Sequence, residues 1–123
     1  AVNDSRKIAP AGWHVPTHDE WLTLVNFYTF NLAGGKLKES GTKHWESPNV
    51  GATNEGGFTA LPGGFRYNSG EFVHISKSGS WWSSTPTSDN LGASFRQVHT
   101  QFATMAQLYY ASAYGFSVRL VKD

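Results

Sequence analysis

Residues 12–28 read GWHVPTHDEWLTLVNFY, and this stretch decides how the chain begins to fold. Pro16 restricts Val15 to an extended conformation, so no helix can run through that point. Thr17-His18-Asp19-Glu20 then has the form of a capping box. The Thr17 hydroxyl takes the orphan amide of Glu20, and the Glu20 carboxylate reaches back to the Thr17 amide. Asp19 and Glu20 also lie where the helix dipole favours negative charge. Trp21, Leu24, Val25 and Tyr28 follow at i, i+3, i+4 and i+7, a single apolar stripe. The spacing predicts one amphipathic helix from Thr17 to about Asn31.

Beyond it the signals weaken and then change character. Ala33 to Ser40 is compatible with a second, short helix carrying Leu37 inward and stopped by Gly41; Gly34 and Gly35 weaken it. From His44 to Phe58 neither helical nor strand period is present. Ser47-Pro48-Asn49, Gly51, Asn54 and Gly56-Gly57 are turn chemistry, which predicts a long ordered loop. After Phe58 short alternating runs are separated by Gly, Ser and Asn: Phe65-Arg66-Tyr67, Phe72 to Ile75 and Ser80 to Ser84. Two more, near Ala93 to Thr100 and Ala103 to Tyr110, pair as a hairpin, and Phe116 to Val121 closes the chain as an alternating strand. Helices first and strands afterwards make an α+β domain, with one or two N-terminal helices and a short-stranded antiparallel sheet carrying long ordered loops.

The 123 residues suit one domain, 1–123, and a single core. The net charge is +1, with ten Lys/Arg and nine Asp/Glu scattered along the chain. That gives no basic track for a nucleic acid. No apolar run is long enough for direct membrane insertion, and no leader-type segment opens the stretch, which reads as a mature form or an excised piece. Cysteine is absent, which removes disulfides, thiol nucleophiles and cysteine metal sites together. Five Trp and 13 Gly in a chain with 15% charged residues resemble the make-up of extracellular recognition surfaces, where rigid aromatics give contact area at low entropy cost.

Five segments, in order, resemble one family: GWHVPT with EW at 12–21, GGKLKESG at 34–41 with Trp45, NEGGFTALPGG at 54–64, WWSST at 81–85 and GFSVR at 115–119. Together they are similar to the Fibrobacter succinogenes major paralogous domain. The resemblance implies a C-type-lectin-like fold, related to formylglycine-generating-enzyme domains and to the variable proteins of diversity-generating retroelements. It implies a secreted or cell-surface location, bacterial or phage, and an adhesive or receptor role. Ala9 and Leu120 stand where members often carry Cys, so closing the two ends falls to packing and strand pairing. The chain also starts inside the family pattern, without the upstream strand.

Catalysis finds little support in these residues. The five histidines (His14, His18, His44, His74, His99) form no HxH or HExxH pattern and no i, i+4 pair. His14 reads as a structural hydrogen-bonding residue, and His18 and His44 as solvated. The formylglycine-generating chemistry of the relatives rests on cysteine, which this chain lacks. Asn49, Asn54 and Glu55 offer hard oxygens, but with one charge among them they read as amides fixing a loop, not as a calcium site. Trp81 and Trp82, as strand neighbours, point to opposite faces and read as packing residues. The expectation is a non-enzymatic module without metal or cofactor.

The ligand segment implied by the resemblance is 94–114, on a scaffold of about 13–85 and 115–123. Its candidate binding residues are Ser94, Arg96, His99, Gln101, Phe102, Met105, Gln107, Tyr109, Tyr110 and Tyr114. The expected partner is a protein or other cell-surface ligand. The alternative is a structural or adhesion domain of a larger surface protein with no dedicated pocket.

Overall fold

The computed structural model describes residues 6–123. Helix α1 spans His18–Phe27, with Thr17 as N-cap and the full capping box in place. The Thr17 hydroxyl accepts from the Glu20 amide at 3.2 Å, and the Thr17 amide donates to Glu20 Oε2 at 2.8 Å. The helix stops four residues before the expected Asn31. Tyr28 leaves helical geometry, and Thr29 takes a left-handed φ of 71°. Trp21 and Val25 are the buried residues of its stripe.

Helix α2 is shorter than expected, Ala33–Leu37, because Lys38 turns extended. Gly34 and Gly35 are more than weak helix formers. A Cβ on Gly34 would stand 2.1 Å from the Thr104 carbonyl oxygen, and one on Gly35 would stand 2.4 Å from that of Gly51. Backbone approaches that close require glycine.

Between α2 and the sheet, residues 38–62 lie outside any helix or strand and include the long loop expected from His44 to Phe58. It is fastened at intervals. Thr53 and Glu55 amides donate to Gly35 and Lys36 carbonyls, the Val50 amide to Thr100, and the Glu46 amide to Ser76. Asn49 Nδ2 donates to the Glu39 and Gly41 carbonyls at 2.9 and 2.7 Å, and Asn54 and Thr59 exchange hydrogen bonds. These amides fix the loop.

The strands are β1 (Trp13–His14), β2 (Gly63–Arg66), β3 (Phe72–Ile75), β4 (Ser78–Pro86), β5 (Gly92–His99), β6 (Met105–Ala111) and β7 (Val121–Lys122). The main sheet has the order β3-β2-β4-β5-β6, and β1 pairs with β7 in a separate two-stranded ribbon. The sheet is not purely antiparallel, because β2 meets β4 in parallel at Gly64 and Gly79. The expected closing strand from Phe116 is also different. Gly115 pairs with Arg66 and Ser117 with Trp81, so this segment lies between β2 and β4 where they part, and only β7 is a regular strand. The protein is thus an α+β domain with two helices and a mixed sheet.

One face of the sheet receives the helices. Trp21, Val25, Leu37, Trp45, Trp81, Val98 and Met105 form the core cluster there. Trp81 and Trp82 are both buried, one toward each face, so this strand is covered on both sides. Strands β1 and β7 bring the segment just before α1 against residues 121–122. There His14 is held by Asp123 at 2.6 Å and by Glu20 at 2.7 Å, the hydrogen-bonding role its sequence context suggests. His44 is exposed beside Glu39. His18 is half-buried instead of solvated, and its Nδ1 is buried with no partner.

Candidate ligand-binding site

The hairpin of β5 and β6 carries the expected ligand segment, and its register sorts the candidates by face. Val98 pairs with Met105, Arg96 with Gln107 and Ser94 with Tyr109. Val98 and Met105 belong to the core cluster under the helices. With side chains alternating along a strand, Ser94, Arg96, Met105, Gln107 and Tyr109 therefore all project to the helix side. Phe95, Leu108 and Tyr110 project to the opposite side.

Three of the ten candidates are not displayed. Met105 is fully buried in the core cluster. Ser94 is buried, its hydroxyl against that of Ser83, which also donates to the Ser94 carbonyl at 3.0 Å. Arg96 is 2% exposed. The reason is common to all three: the helices cover this face of β5 and the start of β6, a tertiary fact that local alternation does not reveal.

The others surround the outer edge. Strand β6 ends the sheet, and Phe102, Tyr109 and Tyr110 on and before it are 59%, 56% and 42% exposed. Gln101 is exposed at the turn, and its amide donates to His99 Nδ1 at 3.1 Å. That bond keeps His99 Nδ1 an acceptor. Burial first, and then the charges of His74 and Lys38, push the His99 pKa below the ordinary value. Gln107 is half-buried and donates from Nε2 to the Tyr109 hydroxyl.

Tyr114 is half-buried and belongs to a different arrangement, on the face away from the helices. Its ring stacks on Tyr110 at 4.6 Å, Tyr110 stacks on Phe95 at 5.3 Å, and Phe95 stacks on Phe116 at 4.2 Å. Trp82 meets Phe116 edge-on at 4.5 Å. Beside this aromatic group lies an open cavity of about 610 Å³, with Trp82, Ser84, Asn90, Ser112, Tyr114 and Phe116 among its walls. Among the described residues no charged side chain lines it. Its size is that of a small-molecule site. Of these wall residues only Tyr114 is among the candidate binding residues of the sequence. The others come from three separated segments, and no local spacing marks them.

A second cavity of about 450 Å³ lies between α1 and the C-terminal segment, walled by Trp21, Leu24, Phe27, Phe58, Arg119 and Val121. The Arg119 guanidinium stands 4.2 Å over the Phe58 ring. Among the described residues no group of three or more His, Asp or Glu converges as a metal site. No helix among the described residues is long and apolar enough to cross a membrane.

Lys38, which no sequence signal marks, is fully buried beneath the β5–β6 turn. Its Nζ donates to the carbonyls of Val50, His99 and Phe102 at 3.0, 2.9 and 3.1 Å, joining the long loop to the base of the candidate surface.

In comparisons with known proteins, the family model described as Fibrobacter succinogenes major domain matches residues 1–122. No curated protein and no solved structure matches.

Proposed function

We propose that this chain, which belongs to the Fibrobacter succinogenes major domain family, is a C-type-lectin-like ligand-binding module whose ligand lies along the β6 edge and into the aromatic cavity beside it. The observation that carries this reading is the conjunction at one end of the sheet. An edge strand exposes Tyr109 and Tyr110, and Tyr110 stacks on Tyr114, a wall of the 610 Å³ cavity. Exposed tyrosines on a rigid hairpin give contact area without ordering long side chains, which is how aromatic recognition surfaces gain affinity. The neutral walls suit a ligand with apolar faces and uncharged polar groups there. The proposal includes an extracytoplasmic setting and a display surface like that of retroelement-diversified proteins, which the composition rich in Trp, Tyr and Gly supports.

Binding, and not catalysis, is the role we assign. Both nitrogens of His14 are taken by carboxylates, and His99 Nδ1 accepts a backbone amide, which leaves neither placed as the free base of a nucleophile. The alternative, a structural adhesion domain, draws support from Phe27 at the end of α1 and Phe30 and Leu32 just beyond it, all of which are exposed.

The test is an array of immobilised glycans and peptides probed in parallel with the native chain and with Gln101→Ser/Phe102→Ser/Tyr109→Ser. The reading expects ligands captured by the native chain and lost by the triple variant. Capture that the triple variant retains in full would remove the β6 edge from the site.

A further inference from the structure

Arg96 is a buried cation that the fold leaves unpaired. Its side chain is 2% exposed, and its Nη2 is buried with no hydrogen-bond partner. None of the ion pairs among the described residues includes it, and among those residues it has no further side-chain partner. The contrast with Lys38 is direct, since that equally buried cation is met by three carbonyls. Removing a cation from water costs several kcal/mol unless a partner offsets it, and an apolar residue of the same volume is commonly at least as stable. Arg96 therefore gives the fold nothing that methionine would not.

Its surroundings indicate what would offset the cost. Arg96 pairs across the sheet with Trp81 on one side and Gln107 on the other. Outward from Gln107 there is no further strand among the described residues, because β6 is the sheet edge. Tyr109 projects on the same side, more than half exposed, held by the Gln107 amide. Burial draws the guanidinium pKa below the usual arginine value, and the Tyr109 phenol acts the other way. The planar fork of arginine matches a carboxylate in bidentate geometry. Gln107 and Tyr109 add a neutral amide and a hydroxyl as further donors, which makes one positive charge in all, fitting a monoanion.

We infer that Arg96 is a recessed anchor for a carboxylate on the ligand, reached over the β6 edge between Gln107 and Tyr109. The inference rests on the reading of that edge as the ligand face and adds the chemical class: the ligand carries an exposed carboxylic acid. Binding releases the Gln107–Tyr109 hydrogen bond and turns both donors toward the incoming acid.

The test uses sodium acetate as probe, against sodium chloride and inorganic phosphate at matched ionic strength, on the native chain and on Arg96→Met. Melting temperature and the Arg96 Nε–Hε resonance are the readouts. The native chain should gain about 2 °C or more in acetate, saturably, since a ligand of the folded state alone stabilises it by mass action. The Arg96 resonance should shift with the same midpoint. Arg96→Met should melt as high as the native chain or higher in chloride and show no response to acetate.

The inference is overturned by no acetate response in the native chain, by an equal response in Arg96→Met, or by a response to phosphate alone. It is overturned as well if Arg96→Met melts well below the native chain or fails to fold, since the guanidinium would then be structural. Array ligands that depend on Gln101, Phe102 and Tyr109 while acetate has no effect would remove the carboxylate anchor and leave the edge site standing.

Discussion

Lys38 shows how much one residue can decide without a sequence signal. A lysine following a short helix reads as solvated, yet this one is fully buried, with its Nζ on three carbonyls and 5.4 Å from the Trp45 ring centre. Burial lowers its amine from 10.5 to about 8. The three acceptors oppose that shift, because they favour the charged form. With burial prevailing, the folded state sheds this proton near pH 8 while the unfolded chain keeps it to about 10.5. Between those values the unfolded state binds more protons, so the stability this group confers rises with pH across the window. Denaturant unfolding of the native chain and Lys38→Met at pH 7.5, 9 and 10 should show the difference moving in favour of the native chain, by about 1 kcal/mol per pH unit within the window. A flat difference would mean that the carbonyls hold the ammonium against burial.

Trp13 errs in the other direction. It opens the most telling motif of the sequence, yet it stands on the outer ribbon, 44% exposed. A large aromatic signals contact without saying which face receives it.

Among the elements, α1 was the most legible, because its start is written in local chemistry that no distant contact overrides. Thr17→Ala should cost about 1 kcal/mol, read by denaturant unfolding. A change within error would show that the Thr85 hydroxyl, which takes the His18 amide at 2.9 Å, carries the cap. The end of α1 was less legible, since a left-handed Thr29 is set by the path to α2. In α2 helix propensity misleads. It counts Gly34 as a weakness, whereas the close approach of Thr104 demands it. Gly34→Ala should therefore destabilise by about 2 kcal/mol or more, and a neutral or stabilising result would contradict that packing. The β1–β7 ribbon ties Trp13–His14 to Val121–Lys122. Asp123 first, and then Glu20, raise the His14 pKa above its ordinary 6.5. The stability from this clasp is complete below pH 6.5 and is lost as pH rises through the raised value. The protection factors of the β1 and β7 amides, which divide out the intrinsic rise of exchange with pH, should fall over that range in the native chain and not in His14→Gln. Equal pH dependence in both would place the clasp elsewhere.

At the scale of the whole molecule, the order of elements was readable because periodicity is local, and so was the pairing of β5 with β6. Which face of that hairpin is covered was not. Ser94, Arg96 and Met105 are polar or flexible residues in a run that resembles a displayed surface, and only the docking of two helices from the other end of the chain buries them. The cavity was hidden for a similar reason, since Trp82, Ser112 and Phe116 come together only because the 115–117 segment passes between β2 and β4. What remains of the candidate surface lies outside the core, and from this follows the central claim that fold and ligand face are separable. Exposed substitutions of this kind usually change stability by under about 0.5 kcal/mol each. The most direct measurement is the thermal melt of Gln101→Ser/Phe102→Ser/Tyr109→Ser beside the native chain. The account expects one cooperative transition within about 5 °C of native, whereas a variant that is unfolded, or melts more than about 10 °C lower, would show that the β6 edge holds the fold and is not a free face for a ligand.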